Sequence, residues 1–204
     1  MKNVTLVILA IIISFSFNVH KREGSLTYPE LGKRFPDFTL NDVQYYTKKK
    51  VSLKDFKGKW LILDCWNFSC GACVRAMPHM DSIQKMHPDQ LQVMMVGYTG
   101  SQYVGTLGCT DNERIRTLYV KVRKEANIQL PTAYDSAFFH RFGIEGCPYI
   151  FIIDPKGIVR GMTHFLTKEN IQDFLDGKTP EMYKLLYTLP AKKDTGLIRR
   201  KKEM

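Results

Sequence analysis

An α/β fold with a mixed central sheet flanked by helices is what this sequence predicts, and three observations predict it. Short apolar runs with strand composition alternate with stretches of helical periodicity. The opening order is strand, helix, strand, which calls for a parallel pair. Later, Asp154-Pro155-Lys156-Gly157 separates two apolar runs. That turn makes an antiparallel hairpin, so the sheet is mixed.

Taken in order, residues 35–40 and 50–53 read as extended segments, a β extension ahead of the main unit. Trp60–Trp66 is a mostly apolar run after Lys57-Gly58-Lys59, as expected of a buried central strand. Gly71–Met86 follows as a helix and residues 91–96 as a second buried strand. Asp111 is placed to cap a helix with Ile115, Leu118, Tyr119 and Val122 on one face. A short strand at 130–134 and a helix at Ser136–Phe142 precede the hairpin of Tyr149–Ile153 and 158–162. Thr167 then caps a last helix through Asp176, with Ile171, Phe174 and Leu175 facing inward.

The 204 residues are 44% hydrophobic and 25% charged, a globular composition with chain enough for one core. No stretch reaches the roughly 18 apolar residues of a standard membrane span, which excludes a multi-pass protein. The net charge is +10, but residues 1–22 carry +3 and residues 178–204 carry +5. The remaining 155 residues hold 19 bases against 17 acids, so a nucleic-acid-reading surface finds no support.

After Met1-Lys2-Asn3, residues 4–17 form an apolar run, followed by a polar, charged stretch. Ser14-Phe15-Ser16 offers small residues for cleavage. Residues 1–22 therefore read as a secretory signal peptide or, uncleaved, an N-terminal membrane anchor, and the protein as exported. A buried terminal strand or helix is the alternative. Residues 178–204 read as a basic tail: Met182, Leu185, Leu186 and Leu189 suit one side of a short helix that Pro190 interrupts. The rest suits a solvated end, with docking on anionic headgroups as a minor alternative.

The chemistry-bearing residues are Cys70-Gly71-Ala72-Cys73, where the central strand hands over to a helix. At a helix start, positions i and i+3 share a face, so the two sulfurs can close a small disulfide ring. Free N–H groups and the positive helix end favour a thiolate on Cys70, which can attack a substrate disulfide. Cys73 then attacks the mixed disulfide and releases reduced product. Zinc sites use the same spacing, so the surroundings must decide. Asp64 lies six residues before Cys70 in an apolar strand, where a buried carboxylate could exchange a proton with Cys73. Pro78 falls inside the helix and should bend it. Cys147-Pro148 precedes a buried strand, a candidate cis peptide.

These motifs resemble the thioredoxin-like redoxins, specifically the TlpA-type thiol-disulfide oxidoreductases of the bacterial envelope. Pro36-Asp37-Phe38-Thr39-Leu40 and the stretch from Val51 to Lys59 are similar to that branch's opening. Leu63-Asp64-Cys65-Trp66 running into the cysteine pair, with Met77-Pro78, is similar to its active-site segment. Gly146-Cys147-Pro148 with residues 151–154 and Lys156-Gly157 is similar to its cis-proline strand and hairpin. The likeness covers about residues 32–177 and implies a thioredoxin-like fold with an insertion before the cis-proline strand. It implies Cys70 as attacking thiol, Cys73 as resolving thiol and Asp64 as buried acid. Trp66, Cys147 and Pro148 would meet substrate. It further implies reduction of exported protein disulfides, a membrane or periplasmic electron donor, and no cofactor or metal beyond the Cys70–Cys73 disulfide.

The departures are specific. Ser69 stands where the family often has tryptophan, Ala72 where proline is common, and Cys147 where valine or threonine is usual. The segment from Tyr98 to Gln129 is long and contains Cys109. Cys65 suits a small buried hydrophobe. Cys147 is open between a groove-filling residue, an alternative disulfide (with Cys109 as one partner) and a metal ligand. The histidines read as surface residues, Met77, Met80, Met86, Met94 and Met95 as core, and Lys48-Lys49-Lys50 as a solvated turn.

Two further functions compete with disulfide exchange. A copper-chaperone-like module would use Cys70, Cys73 and Cys147 as soft thiolates, but the family's copper-delivery relatives separate their cysteines by three residues and add a histidine. A thiol peroxidase would want threonine where Asn67 stands.

Overall fold

The computed structural model describes residues 26–100 and 111–182. The expectations for the apolar run at 4–17, for Cys109 and for nearly all of the basic tail lie outside the described residues. Among the described residues no helix is long and apolar enough to cross a membrane.

Two short strands, β1 (Thr39–Leu40) and β3 (Val51–Ser52), pair with each other as a separate ribbon. The main sheet is built around β4 (Trp60–Trp66). On one side β4 runs parallel to β5 (Leu91–Gly97), which runs parallel to β6 (Thr132–Tyr134). β2 (Val43–Gln44) closes that edge antiparallel to β6. On the other side β7 (Tyr149–Ile153) is antiparallel to β4, and β8 (Val159–Thr163) is antiparallel to β7. The sheet order is thus β2-β6-β5-β4-β7-β8, mixed as the hairpin and the strand–helix–strand opening require.

Strand periodicity sorts the core into two layers. From β4, β5 and β7, the residues Leu61, Leu63, Cys65, Met94, Val96, Tyr149, Phe151 and Ile153 enter one layer. There they meet Phe138, Phe139 and Phe142 of α3 (Ser136–Phe142) and Phe35 and Phe38 of the N-terminal extension. The intervening residues Ile62, Trp66, Leu91, Val93, Met95, Ile150 and Ile152 enter the other. That layer is covered by α1 (Gly71–Met86), α2 (Asp111–Glu125) and α4 (Lys168–Leu175). Each fully buried large apolar side chain contributes about 1.5–3 kcal/mol against exposure. The Phe35 and Phe151 rings add edge contact at 5.1 Å, and Phe138 and Phe142 at 4.6 Å.

Several local expectations change. The extended segment at 50–53 is cut short because the Asp55 carboxylate accepts from Ser52 N–H at 2.7 Å and from its hydroxyl at 2.8 Å. That closes a 3-10 turn over Leu53–Phe56. The strand expected from 130 begins only at Thr132, because the Leu130 carbonyl accepts instead from the Tyr119 hydroxyl (2.7 Å) and Arg123 (3.0 Å). Asp111 belongs to the first turn of α2 and is not its cap. Pro78, in contrast, lies inside helix α1 as expected, on its exposed side. Met86 is 52% exposed, since the apolar face of α1 consists of Cys73, Met77, Met80 and Ile83.

Candidate active site

The C-terminal end of β4 delivers the chain through a tight turn to the start of α1. Asn67 organises that turn. Its carbonyl accepts the Cys70 N–H at 3.1 Å, and its side-chain oxygen accepts the Ser69 N–H at 2.9 Å. Cys70 becomes the N-cap of α1, and the i, i+3 spacing carries Cys73 back beside it. The two are joined by a disulfide with Cα atoms 5.3 Å apart. The Cys73 backbone N–H donates to the Cys70 sulfur at 3.1 Å, so a helix-start donor is aimed where a thiolate would form. Cys70 is half-buried and flanked by exposed Ser69, Gly71 and Ala72, whereas Cys73 is 2% exposed. A reagent arriving from solvent meets the Cys70 sulfur first.

Strand alternation places Asp64 on the α1 side of the sheet, the same side as Cys73. It is 3% exposed, and its Oδ1 has no hydrogen-bond partner. Burial raises its pKa to about 7, so the group switches between acid and base around neutral pH. A carboxyl there can hold a proton for thiol chemistry.

Cys147 and Pro148 sit just ahead of β7, half-buried, joined by a cis peptide. Because β7 lies antiparallel to β4, its beginning meets the end of β4. Cys147 packs against both core layers, the one holding Cys65 and the one holding Cys73 and Trp66. Burial pushes its thiol pKa up to about 12, the nearby Asp64 charge adds to the rise, and a hydrogen bond from the Asn67 side chain opposes it. Cys65 is fully buried, and burial, then Cys147 and Asp64, push its pKa well above the ordinary thiol value.

Cys70, Cys73, Asp64, Cys147 and Pro148 are thus gathered at one end of β4. Trp66 is not available to substrate: it is fully buried against Tyr119, with ring centroids 5.7 Å apart. Its position on the α1 side makes it part of the floor. The surface expectation for histidines fails at His79, whose Nε2 lies 2.8 Å from the Leu166 carbonyl and whose ring stacks on Phe165. Two features of the rim had no signal in the spacing of the motifs. Asn67 holds the cysteine turn while its side chain also lowers the Cys147 thiol pKa, and Arg114 of α2 lies over the Phe68 ring, 4.0 Å from its centroid.

Comparison with known proteins points the same way. A model of the AhpC/TSA family matches residues 31–162. The thiol-disulfide oxidoreductase ResA of Bacillus thuringiensis is 26% identical over 154 residues, covering 74% of this chain and 80% of that one. The thioredoxin-like protein YneN of Bacillus subtilis is 26% identical over 147 residues, covering 71% and 78%. Among solved structures, a putative thiol:disulfide interchange protein DsbE from Chlorobium tepidum superposes with a TM-score of 0.54 at 23% identity, covering 73% of this chain and 97% of that one. An exposed lipoprotein thioredoxin from Streptococcus pneumoniae gives 0.55 at 24% identity, covering 70% and 99%. The fold is thioredoxin-like.

Proposed function

The chain belongs to the AhpC/TSA family, and from that premise we propose that it is a thiol-disulfide oxidoreductase, an enzyme of dithiol-disulfide exchange at Cys70 and Cys73. One observation carries the reading: a disulfide at a helix N-terminus with one sulfur reachable, the other buried, and a backbone donor aimed at the reachable one. Reduced Cys70 attacks a substrate disulfide, forming a mixed disulfide and expelling one substrate thiolate. A second thiol of this chain then displaces the other. Asp64 holds or accepts the proton that the second thiol loses, and Pro148 lines the substrate-facing side. Substrates are protein dithiols or disulfides.

The finer reading is reduction of exported proteins in the bacterial envelope, with electrons from a membrane or periplasmic donor and residues 4–17 acting as leader or anchor. The apolar run supports it, as does the likeness to a pneumococcal thioredoxin that is an exposed lipoprotein. Metal binding is disfavoured by the bond between the two sulfurs and by the named activity of the relatives. Among the described residues no three His, Cys, Asp or Glu side chains group as a metal ion would require.

An equilibrium redox titration with alkylation and peptide mapping tests the proposal. A two-electron transition at Cys70 supports it, and a Cys70→Ser variant with native turnover rejects it. A midpoint near ~−270 mV supports the reductive direction, and one near ~−120 mV overturns it in favour of oxidation. N-terminal sequencing of the mature protein checks export, which an intact Met1 on a cytosolic species would rule out.

A further inference from the structure

Resting on that reading, we propose that Cys147 is a second resolving thiol: it can displace the substrate from Cys70 in place of Cys73, closing a Cys70–Cys147 disulfide. Three placements carry this. Cys147 lies at the start of β7, beside the end of β4 from which the Cys70 turn departs. It is half-buried and packs against the layer that holds Cys73 and against which Cys70 itself rests. Asn67, one residue past the end of β4, stands between the two sulfur-bearing segments: its carbonyl accepts the Cys70 N–H, and the antiparallel β4–β7 register, carried two residues beyond Cys65–Tyr149, sets it opposite Cys147. A thiol at the substrate-facing strand entry, opposite the residue that anchors the nucleophile's turn, is positioned for exchange and not only for filling space.

The chemistry balances. In the mixed disulfide, Cys70 is bonded to a substrate sulfur, and breaking the Cys70–Cys73 bond has freed the Cys70 side chain to turn toward β7. The Cys147 sulfur attacks the Cys70 sulfur, the bond to the substrate breaks, and the substrate leaves as a thiolate that takes a proton from water. Cys70 and Cys147 end oxidised to a disulfide and the substrate ends reduced, so the electron pair comes from the protein thiols and the oxidant is the substrate disulfide. The proton lost by Cys147 has an acceptor in Asp64, whose buried Oδ1 has no hydrogen-bond partner and whose charge is felt at Cys147. Cys65 is a poorer candidate. It lies within the strand ladder opposite Tyr149 and is fully buried, with no path to a substrate sulfur.

The test uses the full chain and a symmetrical disulfide, glutathione disulfide, as substrate. Reduced Cys73→Ser is expected to release two glutathiones per chain and to finish with a mapped Cys70–Cys147 bridge. Cys73→Ser/Cys147→Ser is expected to release one and to stay glutathionylated at Cys70, its second release slowed at least about a hundredfold. If Cys73→Ser alone stops after one glutathione, or bridges Cys70 to Cys65 or Cys109, the assignment to Cys147 is overturned. Should the serine variant fold poorly, Cys73→Ala gives the same count. Cys70→Ser run alongside separates the two levels. Release from that variant would overturn exchange at Cys70 itself, whereas a trapped Cys70 adduct in Cys73→Ser overturns only the role of Cys147.

Discussion

The backbone N–H of Cys73 points at the sulfur of Cys70 from 3.1 Å, so the residue that is itself buried supplies a donor for its reachable partner. On reduction, negative charge at Cys70 is favoured by that donor and by the start of α1, while Cys73 sits in an apolar layer without such help. Iodoacetamide should therefore modify Cys70 at least about tenfold faster than Cys73. Replacing Cys70 by serine should lower disulfide-exchange turnover by about a hundredfold or more. Equal labelling of the two thiols in a timed mass-spectrometric quench would contradict this asymmetry.

Asp64 makes stability depend on pH in a definite direction. In the unfolded chain its carboxyl ionises near 3.8, and in the fold near 7, because burial penalises the charged form. Well below pH 3.8 both states are protonated and the fold carries no penalty. As pH rises from there, the unfolded chain releases a proton that the native state retains, so stability falls until about pH 7 and then levels off. The integrated loss is at most about 4 kcal/mol. Denaturant titrations of the oxidised protein at pH 5 and pH 8 should show native protein losing stability across this range and Asp64→Asn losing much less. The same drop in both proteins would assign the effect elsewhere. In the reduced protein, Asp64→Asn should also slow release of product from the mixed disulfide by about tenfold to a hundredfold, as loss of a proton acceptor does.

The buried strands, the hairpin and the cysteine turn were legible because each rests on local chemistry. Alternation along β4 put Cys65 in one layer and Asp64 and Trp66 in the other, and the Pro155–Gly157 turn made β7 and β8 antiparallel. What was not legible depends on partners distant in sequence. The family resemblance implies Trp66 as a substrate contact, but Tyr119, brought over by α2, covers it. His79 looked exposed because nothing nearby in sequence reveals Leu166 and Phe165. The role of Asn67 is visible only once β7 lies beside β4. Residues 50–53 misread for a different reason: a local competitor, the Asp55 carboxylate, satisfied the backbone before a longer ladder could.

Asp154 is the staple of the β7–β8 hairpin. One carboxylate oxygen accepts from the N–H groups of Lys156 and Ile158, each at 2.9 Å, and the other from Arg160 at 2.8 Å. The group is 6% exposed, so truncation leaves donors without partners in a poorly solvated corner. Asp154→Ala should cost about 2–4 kcal/mol, lowering the melting temperature by roughly 5–15 °C. The hairpin turn lies at the opposite end of β7 from Cys147. The alkylation rate of Cys70 in the folded variant should therefore match that of the native protein. A melting temperature unchanged in thermal denaturation would reject the staple.

Gly97 is where β5 has no room for a side chain. It pairs with Trp66 on one side and Tyr134 on the other. A Cβ there would stand 2.9 Å from Ile115 Cδ1, 3.1 Å from Tyr134 Cδ1 and 3.3 Å from Trp66 Nε1. Gly97→Ala should therefore cost about 1–3 kcal/mol by overpacking and change the emission of the buried indole. The tightest contact is to a single methyl, and Ile115→Val removes that methyl while leaving a small void of its own. Each change alone should destabilise, but together the new methyl occupies the space the other vacates. The double variant should then be more stable than the sum of the two effects by about 0.5–2 kcal/mol in a denaturant-based double-mutant cycle. Strict additivity would mean that the β5–α2 contact is not what excludes a side chain at Gly97, leaving the Trp66 and Tyr134 rings as the obstacle.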